Sequence, residues 1–66
     1  MQIHVNGQRR EVDAPMTVAD LLVSLSLPPR RVAIELNLAI LPRARYAETR
    51  LSENDSLEIV TLVGGG

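Results

Sequence analysis

Apolar and polar positions alternate from the first residues of the chain. Ile3 and Val5 fall on one side, and Gln2 and His4 on the other. This period of two predicts a half-buried strand. Asn6-Gly7 follows, a pair that tolerates positive φ at both central positions of a tight hairpin turn. A return strand is expected over about Gln8 to Asp13. His4 then lies on the outward face, where a lone histidine reads as a polar surface residue.

The period changes after Pro15. Val18, Leu21, Leu22 and Leu25 recur at the spacing of one buried helix face. Thr17 is placed to cap the helix, with Asp20 three residues on, close to a capping box. An acid in the first turn also suits the helix dipole. Pro28-Pro29 is expected to end the helix, because proline has no N–H and restricts its predecessor.

Alternation then returns. Val32, Ile34 and Leu36 share one face of a third strand, and Ala33 and Glu35 the other. Asn37 marks a tight bend, and "LAIL" a short strand ended by Pro42. "RARYAET" reads as an irregular or one-turn helical link, with Tyr46 as a half-buried cap on the core. "RL" suggests a brief strand and "SENDS" a turn. "LEIVTLV" is a strongly β-branched last strand. Nothing in the spacing brings Glu35 and Glu58 together.

This order predicts a two-layer α+β domain with one main helix on a mixed four- to five-stranded sheet. A hairpin, a crossover helix and further strands match the β-grasp (ubiquitin-like) arrangement. The last strand is expected beside the first, in parallel, at the centre. The division is a domain over 1–63 and a flexible glycine tail over 64–66.

Composition narrows what such a domain does. Sixty-six residues make one domain, which buries only about 60% of its unfolded surface. Leu, Ile and Val supply 21 residues, and Tyr46 is the sole aromatic. That core leaves little room for a substrate pocket of about 300 Å³ or more. There is no cysteine and one histidine, so no disulfide or metal site is expected. A net charge of −1 with scarcely any aromatics argues against nucleic acid. No apolar run approaches a membrane span, and no secretory leader opens the chain. A soluble cytoplasmic protein, monomeric alone, is the expectation. All seven basic residues are arginine, so no lysine is available to trap an activated acyl group.

The chemistry is at the other end. Within the last strand Leu57 and Ile59 are expected to face the helix. Val60 and Leu62 point the other way with Glu58, onto a face that should be polar. They are candidate partner-binding residues, together with Val63, although scattered surface aliphatics are also ordinary. Arg43 and Arg45 read as solvated arginines near a turn. Gly64, Gly65 and Gly66 then reach about 10 Å when extended. A glycine end is thin enough to enter another protein's channel. Its carboxylate is ionised at neutral pH, and it attacks a phosphorus centre such as the α-phosphate of ATP without a base. A glycine tail by itself is equally a frayed end.

The length, the opening "MQIHVNG", the helix start "TVADLL", the strand "VAIELN", the segment "ILPRARY" and the final "VGGG" occur here in one order. In that order the chain resembles the ThiS-type sulfur carriers of thiamine biosynthesis, within the ubiquitin-like modifiers. The resemblance covers essentially all of it. It implies that a ThiF-like adenylating enzyme activates the Gly66 carboxylate. Sulfur from a cysteine desulfurase pathway then converts it to a thiocarboxylate, and thiazole synthase takes the sulfur. The chain would bind no cofactor; ATP and Mg would be used by the activating partner. It would be a cosubstrate and not an enzyme. The alternatives are the small subunit of molybdopterin synthase, which shares the fold and the end group, a protein-conjugating modifier, and an inert β-grasp interaction module.

Overall fold

The computed structural model describes residues 1–62. Strand β1 (Gln2–Val5) turns at Asn6-Gly7 into β2 (Gln8–Glu11). Both turn residues have positive φ, 52° and 81°, as the pair requires. Helix α1 (Val18–Ser24) follows, then β3 (Val32–Leu36), β4 (Ala39–Leu41) and β5 (Ser56–Thr61). Short 3₁₀ turns lie at Pro29–Arg31 and Arg43–Arg45. The sheet has five strands in the order β2-β1-β5-β3-β4. The pairing of β1 with β5 is parallel and the remaining pairings are antiparallel. The α+β, β-grasp expectation holds, including the central place of the last strand.

Helix α1 starts where its cap dictates. Thr17 Oγ1 accepts from the Asp20 amide at 3.1 Å, and Asp20 Oδ2 accepts from the Thr17 amide at 3.0 Å. Each satisfies an amide that the helix leaves without an internal partner. The end differs from expectation. The helix stops at Ser24, ahead of Pro28-Pro29. Ser26 adopts φ 58°. The Leu27 amide donates to the Leu22 carbonyl at 2.9 Å and the Ser26 amide to the Val23 carbonyl at 3.0 Å. That is a Schellman termination, and hydrogen bonding ends the helix before proline has to.

Val18, Leu21 and Leu22 from α1 meet Ile3, Val5, Val32, Ile34, Leu57 and Ile59 from the sheet in one core. Tyr46, expected as half-buried, is only 4% exposed and belongs to that core with Leu51. The link from β4 to β5 is stitched to the start of the helix. The Ala19 amide donates to the Tyr46 carbonyl at 3.0 Å, and the Val18 amide to the Thr49 carbonyl at 2.9 Å. This draws the aromatic ring inward. The brief strand expected at "RL" is reduced to a single bridge between Thr17 and Arg50. The first return strand ends at Glu11 and not at Asp13.

Asparagine side chains fix β5 in the middle. Asn6 Nδ2 donates to the Ile59 carbonyl at 3.1 Å, and its Oδ1 accepts from the Ile59 amide at 2.7 Å. Asn37 Oδ1 accepts from the Ser56 amide at 2.9 Å, and its Nδ2 donates to Asp55 Oδ1 at 3.0 Å. Asn37 and Leu38 make the β3–β4 turn with φ of 51° and 72°. A leucine there is strained by about 1–2 kcal/mol, and its side chain is 91% exposed.

Burial makes Tyr46 a titration marker. Removal from water raises its pKa, and the nearby Arg43 guanidinium offsets only part of this. A phenol with a raised folded pKa contributes stability that is intact below the unfolded value of about 10. That stability is lost as pH rises through the folded value. The terminal ammonium of Met1 is also raised, first by its hydrogen bond to Glu11, and adds a loss of the same sign. Tyr46→Phe should therefore flatten the alkaline fall in unfolding free energy without abolishing it. Urea titrations of both proteins across about pH 8–11 measure the difference; equal slopes would contradict it.

Candidate functional site: the open sheet face and the root of the tail

Helix α1 covers one face of the sheet. The other carries the residues of opposite parity. On β5, Leu57 and Ile59 are buried against the helix, as expected, while Val60 is 59% exposed. Leu62 follows on the same parity, 54% exposed. Its amide donates to the Arg31 carbonyl at 2.7 Å. This bond extends the β3–β5 pairing past Val32↔Thr61. Val63, Gly64, Gly65 and Gly66 lie outside the described residues.

The register enlarges this patch beyond the two aliphatics read from the sequence. Ala33 pairs with Val60, and Ile40 with Glu35. Ile40 is 81% exposed. The signal for Ile40 was available: a two-residue turn at Asn37-Leu38 pairs Leu36 with Ala39, which sets Ile40 opposite Glu35. Glu35 and Glu58, which the spacing left apart, are direct cross-strand partners. Their Cβ atoms are then about 4.5–5.5 Å apart.

The patch ends in a groove. Where β4 stops at Leu41, Pro42 turns the chain away from β3. A shallow groove of about 430 Å³ opens there, lined by Ala33, Ile40 and Leu62 together with Arg30, Arg43 and Tyr46. Arg43, read from the sequence as a solvated turn residue, is on its rim; Arg45 is on the surface beside Glu48 at 3.9 Å. A second groove of about 280 Å³ lies under the β1–β2 hairpin, between Arg10, Leu25 and Thr61. Neither groove holds a nucleophile with an adjacent base. His4 pairs with Arg9 across the β1–β2 hairpin. Among the described residues no group of three or more His, Cys, Asp or Glu side chains is placed to hold a metal, and no helix is long and apolar enough to cross a membrane. The arrangement is suited to docking.

The likenesses to known proteins cover the same ground. The profile of the ThiS family matches residues 3–66. A thiazole synthase of Paramagnetospirillum magneticum is 44% identical over 66 residues, all of this chain; the chain spans only 20% of that protein's length. The sulfur carrier protein ThiS of Bacillus subtilis is 44% identical over 50 residues, 76% of each chain. The crystal structure of the thiamine biosynthesis protein ThiS of Geobacter metallireducens superposes with a TM-score of 0.84, at 32% identity and over 100% of both chains. Fold, length and sequence agree, and the chain belongs to the ThiS family.

Proposed function

We propose that the protein is a sulfur carrier whose working group is the Gly66 carboxylate, and that catalysis belongs to its partners. The observation that carries this reading is the family match running to residue 66, through the three glycines. An activating enzyme of the ThiF kind, using ATP and Mg, would position the tail. One carboxylate oxygen attacks the α-phosphorus of ATP, the bond to the β-phosphate breaks, and pyrophosphate leaves. Hydrosulfide, released when a thiol reduces the persulfide that cysteine desulfuration forms, then attacks the acyl carbon and AMP leaves. The product is a C-terminal thiocarboxylate. The absence of lysine and cysteine means that no side-chain amine or thiol of the chain competes for the activated acyl group.

Thiazole synthase is the proposed acceptor. Support comes from proteins of that name in Paramagnetospirillum magneticum and Magnetococcus marinus, which contain a segment 44% and 39% identical to this chain. That favours the thiamine branch over the molybdenum-cofactor one. The exposed Val60 and Leu62, with Val63, would dock the domain and leave Gly64–Gly66 to enter the partner's site.

Intact mass measurement tests the chemistry. After incubation with ATP, Mg, the activating enzyme and a sulfide source, the C-terminal peptide should gain the oxygen-to-sulfur mass difference. An unchanged mass would favour an inert interaction module. Docking has its own test. Leu62→Asp should weaken binding to the activating enzyme by about 2 kcal/mol, the value of one buried aliphatic side chain. It should leave unfolding free energy within about 0.5 kcal/mol, as surface changes do. A large loss of stability would instead make Leu62 a core residue.

A further inference from the structure

The chain has no lysine, and its arginines stay protonated and make poor nucleophiles. Its one primary amine is the α-ammonium of Met1, and the fold binds that group twice. It donates to Glu11 Oε2 at 2.9 Å and to the Val12 carbonyl at 2.9 Å. The Val12 amide donates back to the Met1 carbonyl at 2.9 Å. The Met1–Val12 pair thus continues the β1–β2 ladder beyond Gln2↔Glu11. Three carboxylates surround the ammonium: Glu11 on β2, Asp13 after it, and Glu53 from the link before β5. The hydrogen bond to Glu11 is the first cause of its raised pKa, and partial desolvation offsets some of the rise.

An amine matters to a chain that carries an activated acyl end. Its electron pair would attack the acyl carbon of a carboxyl adenylate. An amide bond forms, AMP leaves, and the amine's proton passes to water. Capture within one copy is out of reach. Strands β1 and β5 run parallel with His4 beside Ser56, so Met1 lies three residues to one side of that level and Leu62 six to the other. At about 3.3 Å per residue the two are about 30 Å apart. The four residues beyond Leu62 span at most about 14 Å. Only a second copy can bring its amine to the acyl group.

We propose that Glu11 and the Val12 carbonyl clamp this amine and so keep the carrier from acting as acceptor for another copy's activated end. Resting on the carrier reading above, this gives Glu11 a protective role in that chemistry. A nitrogen held as ammonium has no electron pair to offer, and two of its hydrogens are already engaged. The acyl group is left for sulfur.

Acetylation with an N-hydroxysuccinimide ester, located by peptide mapping, reads the Met1 amine directly. Glu11→Gln should label about two- to fivefold faster than the parent near neutral pH, the range set by an exposed ion pair. The gap should close by about pH 10, where both amines are largely neutral. A gap that persists there would mark a loosened strand and overturn the assignment. In a second arm each chain is incubated with purified activating enzyme, ATP and Mg, without a sulfide source. Glu11→Gln should form about two- to fivefold more amide-linked dimer than the parent, at twice the chain mass less one water. Equal labelling rates overturn the proposal. So does a loaded Glu11→Gln chain that stays monomeric, or a parent that dimerises as readily. If neither chain is adenylated, the carrier reading fails, and the labelling arm alone decides the clamp.

Discussion

Replacing Gly65 with tryptophan is expected to reduce adenylation of the chain to background while its unfolding midpoint stays unchanged. The proposed acceptor carbon is that of Gly66, one residue on, and the tail must enter a catalytic site that another protein builds. Glycine offers no side chain to the walls of that site; an indole adds the largest one available. Among the described residues the buried core runs from Ile3 to Ile59, so the fold is expected to tolerate the change. Single-turnover adenylation and urea unfolding, read on the same samples, separate the two effects. Normal loading of the tryptophan variant would end the claim that slimness matters. A lowered midpoint would mean that the tail contributes to the fold.

The second large effect lies in the core. Leu22 is fully buried on α1, and its carbonyl receives the Leu27 amide that closes the helix. Leu22→Ala should cost about 2–5 kcal/mol, from lost transfer energy and the cavity left behind. Folding of a chain this short rests on a total of about 3–10 kcal/mol, so the variant should be substantially unfolded at moderate temperature. The chain has no cysteine and so no disulfide to absorb the loss, and among the described residues no polar or charged side chain is buried. Far-UV circular dichroism in urea measures this, because the chain lacks tryptophan. A loss below about 1 kcal/mol would mean that the helix can repack without Leu22.

Local features were legible in the sequence. The capping box of Thr17 and Asp20, the Asn6-Gly7 turn, the bend at Asn37 and the alternation of β3 depend on residues within four positions of each other. Their chemistry is fixed before the chain folds. The helix ends earlier than its prolines suggest, for a reason of the same kind. Proline is a loud signal, and a serine in the left-handed region is a quiet one that acted first. Tyr46 reads from the sequence as half-buried and lies in the core. Its burial follows from two hydrogen bonds between its loop and the helix start, and no local pattern announces them.

For the candidate site the division is sharper. The outward parity of Val60 and Leu62 could be read along β5 alone, because side chains alternate with a period of two. The Glu35–Glu58 pair, the company of Ile40, and the groove between Arg30 and Arg43 could not.

The sequence by itself determined which residues turn outward, where the chain bends, and that residues 64–66 are glycines. Only the tertiary structure decided which outward residues are neighbours. Strand register is a long-range choice, set by how the helix-facing rows of β3 and β5 bury together, and the exposed rows follow it passively. A shift of one residue would turn the buried rows out to water. The two-layer core therefore fixes the pattern of charge beside the tail, although none of those charges is part of the core.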